Sequence, residues 1–168
     1  MTNIAKIVCF ALILSFVFRI ESKEVESIPQ FNDYKTKVQQ KFNKNIKLNF
    51  SDKKNRQFRT LLKGSLSEAP NFAGKFIIVS WGCGSSCQRH AIINKNSGEV
   101  YWPKEIEASF NLTACDIDTL EFQSNSTLLV VNEHRPKMGI IKIFYDWNGI
   151  KLRKINTLSI NEELCVIK

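Results

Sequence analysis

Residues 75–101, KFIIVSWGCGSSCQRHAIINKNSGEVY, decide the fold of this chain. Two apolar runs, 76–79 and 91–93, stand on either side of a short segment rich in Gly, Ser and Cys. Short apolar runs bounded by such residues are typical of antiparallel strands joined as hairpins. The stretch therefore predicts a β-hairpin with Cys83 and Cys87 near its tip, followed by a turn and a third strand.

The same pattern continues to the C-terminal side of this stretch. Short apolar runs recur, and Asn148-Gly149 is a strong signal for a two-residue hairpin turn, because both residues accept positive φ. The sequence predicts an antiparallel β-meander of about seven strands. The predicted strands are 75–82, 88–94, 98–102, 118–123, 127–133, 139–147 and 150–157.

Two helices are predicted before the meander, so the predicted fold class is α+β. In residues 29–43 the apolar positions fall at helical spacing, and Pro29 suits a first helical turn. Ser51 or Asp52 is a candidate cap for a second helix over 52–63, with Gly64 as its end. Between the helices, residues 46–50 alternate like a short edge strand. The predicted stripe of the first helix is Phe31, Tyr34, Val38 and Phe42.

An internal similarity appears when the chain is compared with itself at an offset of 52 residues. Residues 75–79 align with 127–131, and residues 90–94 align with 142–146. A period near 50 with antiparallel strands is a pattern of propeller blades, although two units are too few to close a propeller. The alignment predicts two blade-like β units, arranged either as one curved meander or as two small sheets packed face to face.

The N-terminal 22 residues predict a signal peptide. Lys6 precedes an apolar run over 7–18 that Arg19 ends, and about a dozen apolar residues are too few for a membrane span. Because Ile20 is a poor residue for the cleavage motif, an uncleaved anchor stays open as the alternative. We expect residues 23–168 to form one α+β domain that is periplasmic or secreted, without stable membrane insertion once the signal is removed.

Four cysteines remain after the predicted cleavage, an even number that indicates disulfides in an exported chain. A three-residue loop places Cys83 and Cys87 opposite each other in a hairpin, close enough for a bridge. Cys115 and Cys165 are then left as the second pair. A redox or metal-binding role of Cys83 and Cys87 is the alternative, although the spacing exceeds that of the redox Cys-x-x-Cys motif by one residue.

Few other residues indicate chemistry. His90 lies three residues after Cys87 and is the candidate partner for a thiol or metal enzyme, but an oxidised cysteine cannot act as a nucleophile. Asp116, Asp118 and Glu121 form an acidic cluster that is more typical of a solvated loop than of a cation site. Aromatic and histidine side chains near strand ends give a candidate binding surface, which comprises Trp81, His90, Trp102 and His134.

One local motif resembles a family. Phe72-Ala73-Gly74, then Trp81-Gly82-Cys83-Gly84-Ser85-Ser86-Cys87, then Ser97-Gly98-Glu99-Val100-Tyr101, resembles small exported bacterial proteins of unassigned function. Those proteins share a Phe-Ala-Gly start, a Trp-Gly-Cys-Gly-x-x-Cys centre and a Thr/Ser-Gly-x-Val-Tyr end. The resemblance covers residues 71–101 and implies export and an α+β domain. It implies no catalytic residue.

The net charge is +8, and the Lys and Arg residues are scattered without a long basic block. That distribution favours a mildly basic soluble surface over a nucleic-acid stripe. The sequence carries no phosphate-binding Gly-rich loop and no nucleophile elbow. We therefore expect a disulfide-stapled binding module for a protein or cell-envelope partner, possessing neither cofactor nor metal, such as an inhibitor or immunity-type protein. A thiol or metal-dependent enzyme using Cys83, Cys87 and His90 is the alternative.

Overall fold

The structure is a computed structural model that describes residues 27–43, 45–110, 117–135 and 138–160. Within these residues lie two short helices, α1 (Lys53–Gln57) and α2 (Arg59–Ser65), and two 3-10 turns, Phe31–Tyr34 and Lys104–Ile106. The described strands are β1 (Phe76–Gly84), β2 (Cys87–Asn94), β3 (Val100–Tyr101), β4 (Ala108–Phe110), β5 (Leu120–Phe122), β6 (Leu128–Arg135), β7 (Gly139–Trp147) and β8 (Leu152–Ile160).

The strands form two antiparallel sheets, so the α+β class is confirmed. Sheet 1 contains β1, β2 and β3 in that order, with β4 also paired to β2. Sheet 2 is the meander β5-β6-β7-β8. Seven of the eight described strands coincide with predicted ones. The additional strand, β4, lies in a stretch that lacks an apolar run, and its pairing partner β2 lies about 20 residues earlier in the chain.

The first predicted helix is wrong. After the 3-10 turn Phe31–Tyr34 the chain is not helical up to residue 43, and its backbone donors bond to distant segments. Thr36 N donates to Asn125 O at 2.8 Å, and Gln39 N donates to Gly74 O at 2.9 Å. The apolar stripe was still informative, because Phe31 and Tyr34 pack on sheet 2. Tertiary hydrogen bonds have replaced the local bonds of a helix here.

The second predicted helix exists, but it is interrupted at Phe58. The Asp52 side chain caps α1 by accepting hydrogen bonds from Lys54 N and Asn55 N, as the sequence predicted. Gly64 lies inside α2 instead of ending it, and the buried Leu62 attaches this helix to the sheet. The predicted strand over 46–50 has no strand structure.

The hairpins β1–β2 and β6–β7 have the same pairing register at an offset of 52 residues. Starting from Phe76 and continuing to the middle of β1, each residue pair between β1 and β2 recurs between β6 and β7 with both residue numbers increased by 52. The equivalent pairs are Phe76–Asn94 and Leu128–Asp146, Ile77–Ile93 and Leu129–Tyr145, Ile78–Ile92 and Val130–Phe144, and Val79–Ala91 and Val131–Ile143.

The two sheets stack head to tail, which means that the front face of one packs against the back face of the other. The face of sheet 1 that carries Ile78 packs against the face of sheet 2 that carries Leu129. The equivalent of Leu129 is Ile77, which lies on the other face of sheet 1 among residues of the helical segment. The equivalent of Ile78 is Val130, on the outer face of sheet 2, where Phe31 and Tyr34 cover it. Equivalent faces therefore point in the same direction.

Three apolar layers result from this stacking. The central layer lies between the sheets and contains Phe72, Ile106 and Trp147. The helical segment and the N-terminal turn close the two outer layers. None of the helices in the described ranges has the length and apolar character that crossing a bilayer requires.

Candidate functional site

The tip of the first hairpin is closed by a disulfide. Cys83 and Cys87 are bonded, with their Cα atoms 5.1 Å apart, so this predicted pairing is confirmed. Gly84 has φ of 140° and Ser86 has φ of 56°, and the bridge holds the loop in this tight conformation. Residues 82–86 are exposed. Cys115 and Cys165 lie outside the described residues, so their pairing stays a prediction.

His90 lies directly behind this tip, and the structure buries it. Its side chain is 1% exposed, so its place in the predicted binding surface is wrong. In β2 it shares a face with Ile92, and that face packs against sheet 2. The period of two along a strand carries this information, because position 90 falls on the same side as the apolar position 92.

Hydroxyl groups engage both ring nitrogens of His90. Ser80 Oγ lies 2.8 Å from Nδ1, and Ser109 Oγ lies 2.7 Å from Nε2. The Ser109 hydroxyl donates to Thr119 Oγ1 at 3.2 Å, so its oxygen is free to accept the Nε2–H. The Nδ1 atom then accepts from the Ser80 hydroxyl. The three hydrogen bonds therefore form one continuous network, which runs from Ser80 in sheet 1 through His90 and Ser109 to Thr119 at the start of sheet 2.

This environment keeps the imidazole neutral. Burial lowers the pKa of His90 from 6.5 to about 4, because a desolvated ring disfavours the charged form. The groups that contact its nitrogens are hydroxyls, which stabilise an imidazolium less than a carboxylate does. The ring therefore acts as a neutral link between the sheets.

The thiol or metal alternative finds little support in this geometry. The two tip cysteines are consumed by their bridge, and both nitrogens of His90 are committed to hydroxyl groups. In the described ranges no three His, Cys, Asp or Glu side chains are grouped as metal ligands would be. Asp118 bonds to Asn132 through its backbone carbonyl, and Glu121 pairs with Lys142 at 2.7 Å. Asp116 lies outside the described residues.

Trp81 and Trp102 come together on the helical side of sheet 1. Their ring centroids are 5.8 Å apart, and both pack against Phe58. Trp102 donates to Asn55 Oδ1 at 2.8 Å, and Lys54 lies 4.5 Å above its ring. Both tryptophans are half-buried, so this pair mainly attaches the helices to the sheet.

His134, the fourth residue of the predicted surface, is exposed near the tip of the second hairpin. Hydrogen bonds place the two hairpin tips at the same end of the molecule. Ser109, which pairs with Gln88 beside the first tip, donates to the Thr119 hydroxyl. The Thr119 carbonyl in turn accepts from Asn132 N at 2.9 Å, beside the second tip.

Two exposed apolar side chains, which the sequence analysis missed, lie at this end. Phe110, the last residue of β4, is 64% exposed and pairs with Cys87 of the disulfide. Met138, beside the second tip, is 56% exposed. The sequence around Phe110 does not indicate that this side chain is exposed. Its surroundings depend on the pairing of β4 with β2. We call the loop 82–87, Phe110, His134 and Met138 the tip surface.

Comparison with known proteins gives no assignment. Neither a family model, nor a curated protein, nor a solved structure matches this chain.

Proposed function

We propose that the chain is an exported, disulfide-stapled binding module and that the tip surface contacts its partner. The observation that carries the proposal is the position of Phe110 beside the Cys83–Cys87 bridge, with Met138 at the same end. Aromatic and Met side chains are enriched in the centres of protein interfaces.

The disulfide supports a role in recognition. A loop that is already held in one conformation loses little conformational entropy when it binds. The His90 network lies beneath the loop and fixes the strand that carries Cys87, so the support of the loop is rigid too. An inhibitor or immunity-type protein, which inserts a fixed loop into a partner enzyme, would use such a surface. The Trp-Gly-Cys-Gly-x-x-Cys centre of the motif that resembles small exported bacterial proteins lies in this same loop.

The matching registers of the two hairpins support a second part of the proposal. We infer that sheets 1 and 2 are two blade-like units derived from one duplicated unit. Head-to-tail stacking brings both hairpin tips to one end, so duplication gives a surface with two adjacent loops. This arrangement enlarges the contact area beyond what one hairpin offers.

Site-specific crosslinking tests the contact surface. A photoreactive amino acid at Ser85, in the disulfide loop, should yield a covalent adduct with the partner in the native source. The same amino acid at Asn148 is the matched control, because that exposed turn lies at the far end of β7, a strand about 26 Å long. An adduct from Asn148 but not from Ser85 would contradict the proposal.

The compartment is tested separately. N-terminal sequencing of the natural protein should begin near Lys23, and peptide mapping without reductant should recover a Cys115–Cys165 link. Thiol titration of the mature protein should find no free thiol. A cytosolic protein beginning at Met1 would contradict export, and one or two reactive thiols would favour the thiol-enzyme alternative.

A further inference from the structure

The positive charge of the chain is concentrated in one segment. Residues 27–75 contain eleven Lys and Arg residues and three Asp and Glu residues, a net charge of +8. The preceding 26 residues contain three of each sign, and residues 76–168 contain ten of each. The whole net charge therefore belongs to the segment that wraps the sheets, while the sheets and their turns are neutral.

The fold places much of this charge on the part of the segment that covers the outer face of sheet 1. The segment runs past the turns around Gly74 and Gly98 and then crosses the outer face of sheet 1 as α1 and α2. Leu48 and Leu62 are buried, and the cations between them other than Lys54 are exposed. We call the exposed cations of this stretch the basic layer, and they are Lys47, Lys53, Arg56, Arg59 and Lys63.

Cations lie over aromatic rings of the basic segment. Arg59 lies 5.0 Å and Lys63 5.7 Å from the centroid of the Phe50 ring. Lys95 lies 5.2 Å from the Phe42 ring. Proteins that bind single-stranded nucleic acid need free aromatic faces on which bases stack. These rings are already occupied, so the layer offers charge without a stacking platform.

We propose that the basic layer attaches the protein to the surface of a bilayer containing anionic lipids. Cations dispersed over the outside of a helical layer fit a broad anionic surface better than a narrow groove. Such attraction acts over about a Debye length and requires no inserted apolar segment. The inference depends on the charge distribution alone and is independent of the partner at the tip surface.

Vesicle co-sedimentation tests the inference with the purified mature chain. Vesicles of phosphatidylcholine with phosphatidylglycerol should bind the protein, vesicles of phosphatidylcholine alone should not, and added salt should release it. The triple variant Lys53→Gln, Arg59→Gln, Lys63→Gln should bind about a hundredfold more weakly, since each cation near an anionic leaflet contributes roughly a factor of five. Circular dichroism checks that this variant is folded.

The matched control removes three exposed cations from the neutral part of the chain. The variant Lys151→Gln, Arg153→Gln, Lys154→Gln has the same net charge as the first variant and should retain wild-type vesicle binding within about threefold. Equal losses in the two variants would show that net charge alone matters and would overturn the inference. Equal binding to vesicles without phosphatidylglycerol would also overturn it. So would tighter binding to duplex DNA than to the anionic vesicles, in favour of a nucleic-acid surface.

Discussion

Hairpins β1–β2 and β6–β7 pair in the same register, yet their third strands differ. In sheet 2 the third strand is the continuous β8, which pairs with β7 along its whole length. In sheet 1 the equivalent edge is divided into β3 and β4, with the 3-10 turn Lys104–Ile106 between them. The interruption inserts the fully buried Ile106 into the central layer and lets β4 end at the exposed Phe110.

Equivalent polar positions differ in the same way. Ser80 and His90 of the first hairpin correspond to Asn132 and Lys142 of the second. The first pair faces the other sheet, and both nitrogens of its imidazole are bonded. The second pair faces outward with Glu121, and the buried Asn132 Oδ1 has no hydrogen-bond partner among the described residues. Equivalent positions of the same register thus hold the buried His90 network in the first hairpin and the Lys142–Glu121 ion pair in the second.

The largest expected difference between the units lies in the apolar core. Leu129 and Ile77 are equivalent and fully buried, but Leu129 lies between two sheets and Ile77 lies under short helices. Leu129→Ala should lower the free energy of unfolding by about 4 kcal/mol and Ile77→Ala by about 2–3 kcal/mol, because short helices can partly fill a cavity. Urea unfolding measures both changes, with the exposed Lys151→Ala as control. The reverse order would show that the helical layer is the more rigid one.

His90, whose equivalent in the second hairpin is Lys142, should make the stability of the protein depend on pH. Its pKa is about 4 in the folded protein and near 6.5 when unfolded, so the unfolded chain binds more protons between these values. Its contribution is complete above about pH 6.5 and is lost as the pH falls to about 4, on the order of 3 kcal/mol in total.

The measurement is the difference in unfolding free energy between wild type and His90→Gln at several pH values across that window. The difference isolates His90 from the carboxylates, which titrate in both proteins. The advantage of the wild type should shrink steadily as the pH falls. A constant difference would mean that the ring is solvated and titrates normally.

The disulfide is a third difference between the hairpins, and its effect should be smaller. The bridge closes a loop of five residues, for which the chain-entropy model gives about 2 kcal/mol as an upper value. Thermal unfolding of the Cys83→Ser, Cys87→Ser variant measures the loss. A loss equal to that of Leu129→Ala would show that the bridge holds the sheet together instead of shaping the tip.

Local sequence signals predicted which strands pair as hairpins, the capping by Asp52 and the Cys83–Cys87 bridge. In each case the residues that interact are neighbours in the chain or in one hairpin. The predicted two-residue turn at Asn148-Gly149 is wrong, because the loop spans residues 148–151 and only Gly149 has positive φ. The offset of 52 even predicted the common register, because apolar alternation records which face of a strand is buried. The period of two along β2, which places position 90 on the same face as the apolar position 92, also indicates that His90 is buried, although its proximity to Cys87 suggested a thiol or metal site.

Long-range contacts were not predictable in this way. The apolar spacing of residues 29–43 fits a helix, and only the bonds of Thr36 and Gln39 to distant carbonyls show why the segment is not helical. The strand β4 exists because β2 offers an unpaired edge beyond β3. The basic layer was not apparent from a count of scattered cations, since it depends on which segment lies outside.

The smallest expected effect on stability concerns Phe110, where the interrupted edge of sheet 1 ends. Since its side chain is mostly in solvent, Phe110→Ser should change the free energy of unfolding by less than about 0.5 kcal/mol. Ile160 near the same end of β8 is half-buried, so Ile160→Ser should cost about 1 kcal/mol. Binding should respond in the opposite order, because an exposed aromatic side chain at an interface contributes more than a packed edge residue. Crosslinking from Ser85 should therefore fail in Phe110→Ser and persist in Ile160→Ser. If it persists in both variants, Phe110 is not part of the contact surface, and the interruption of the edge only serves to place Ile106 in the core.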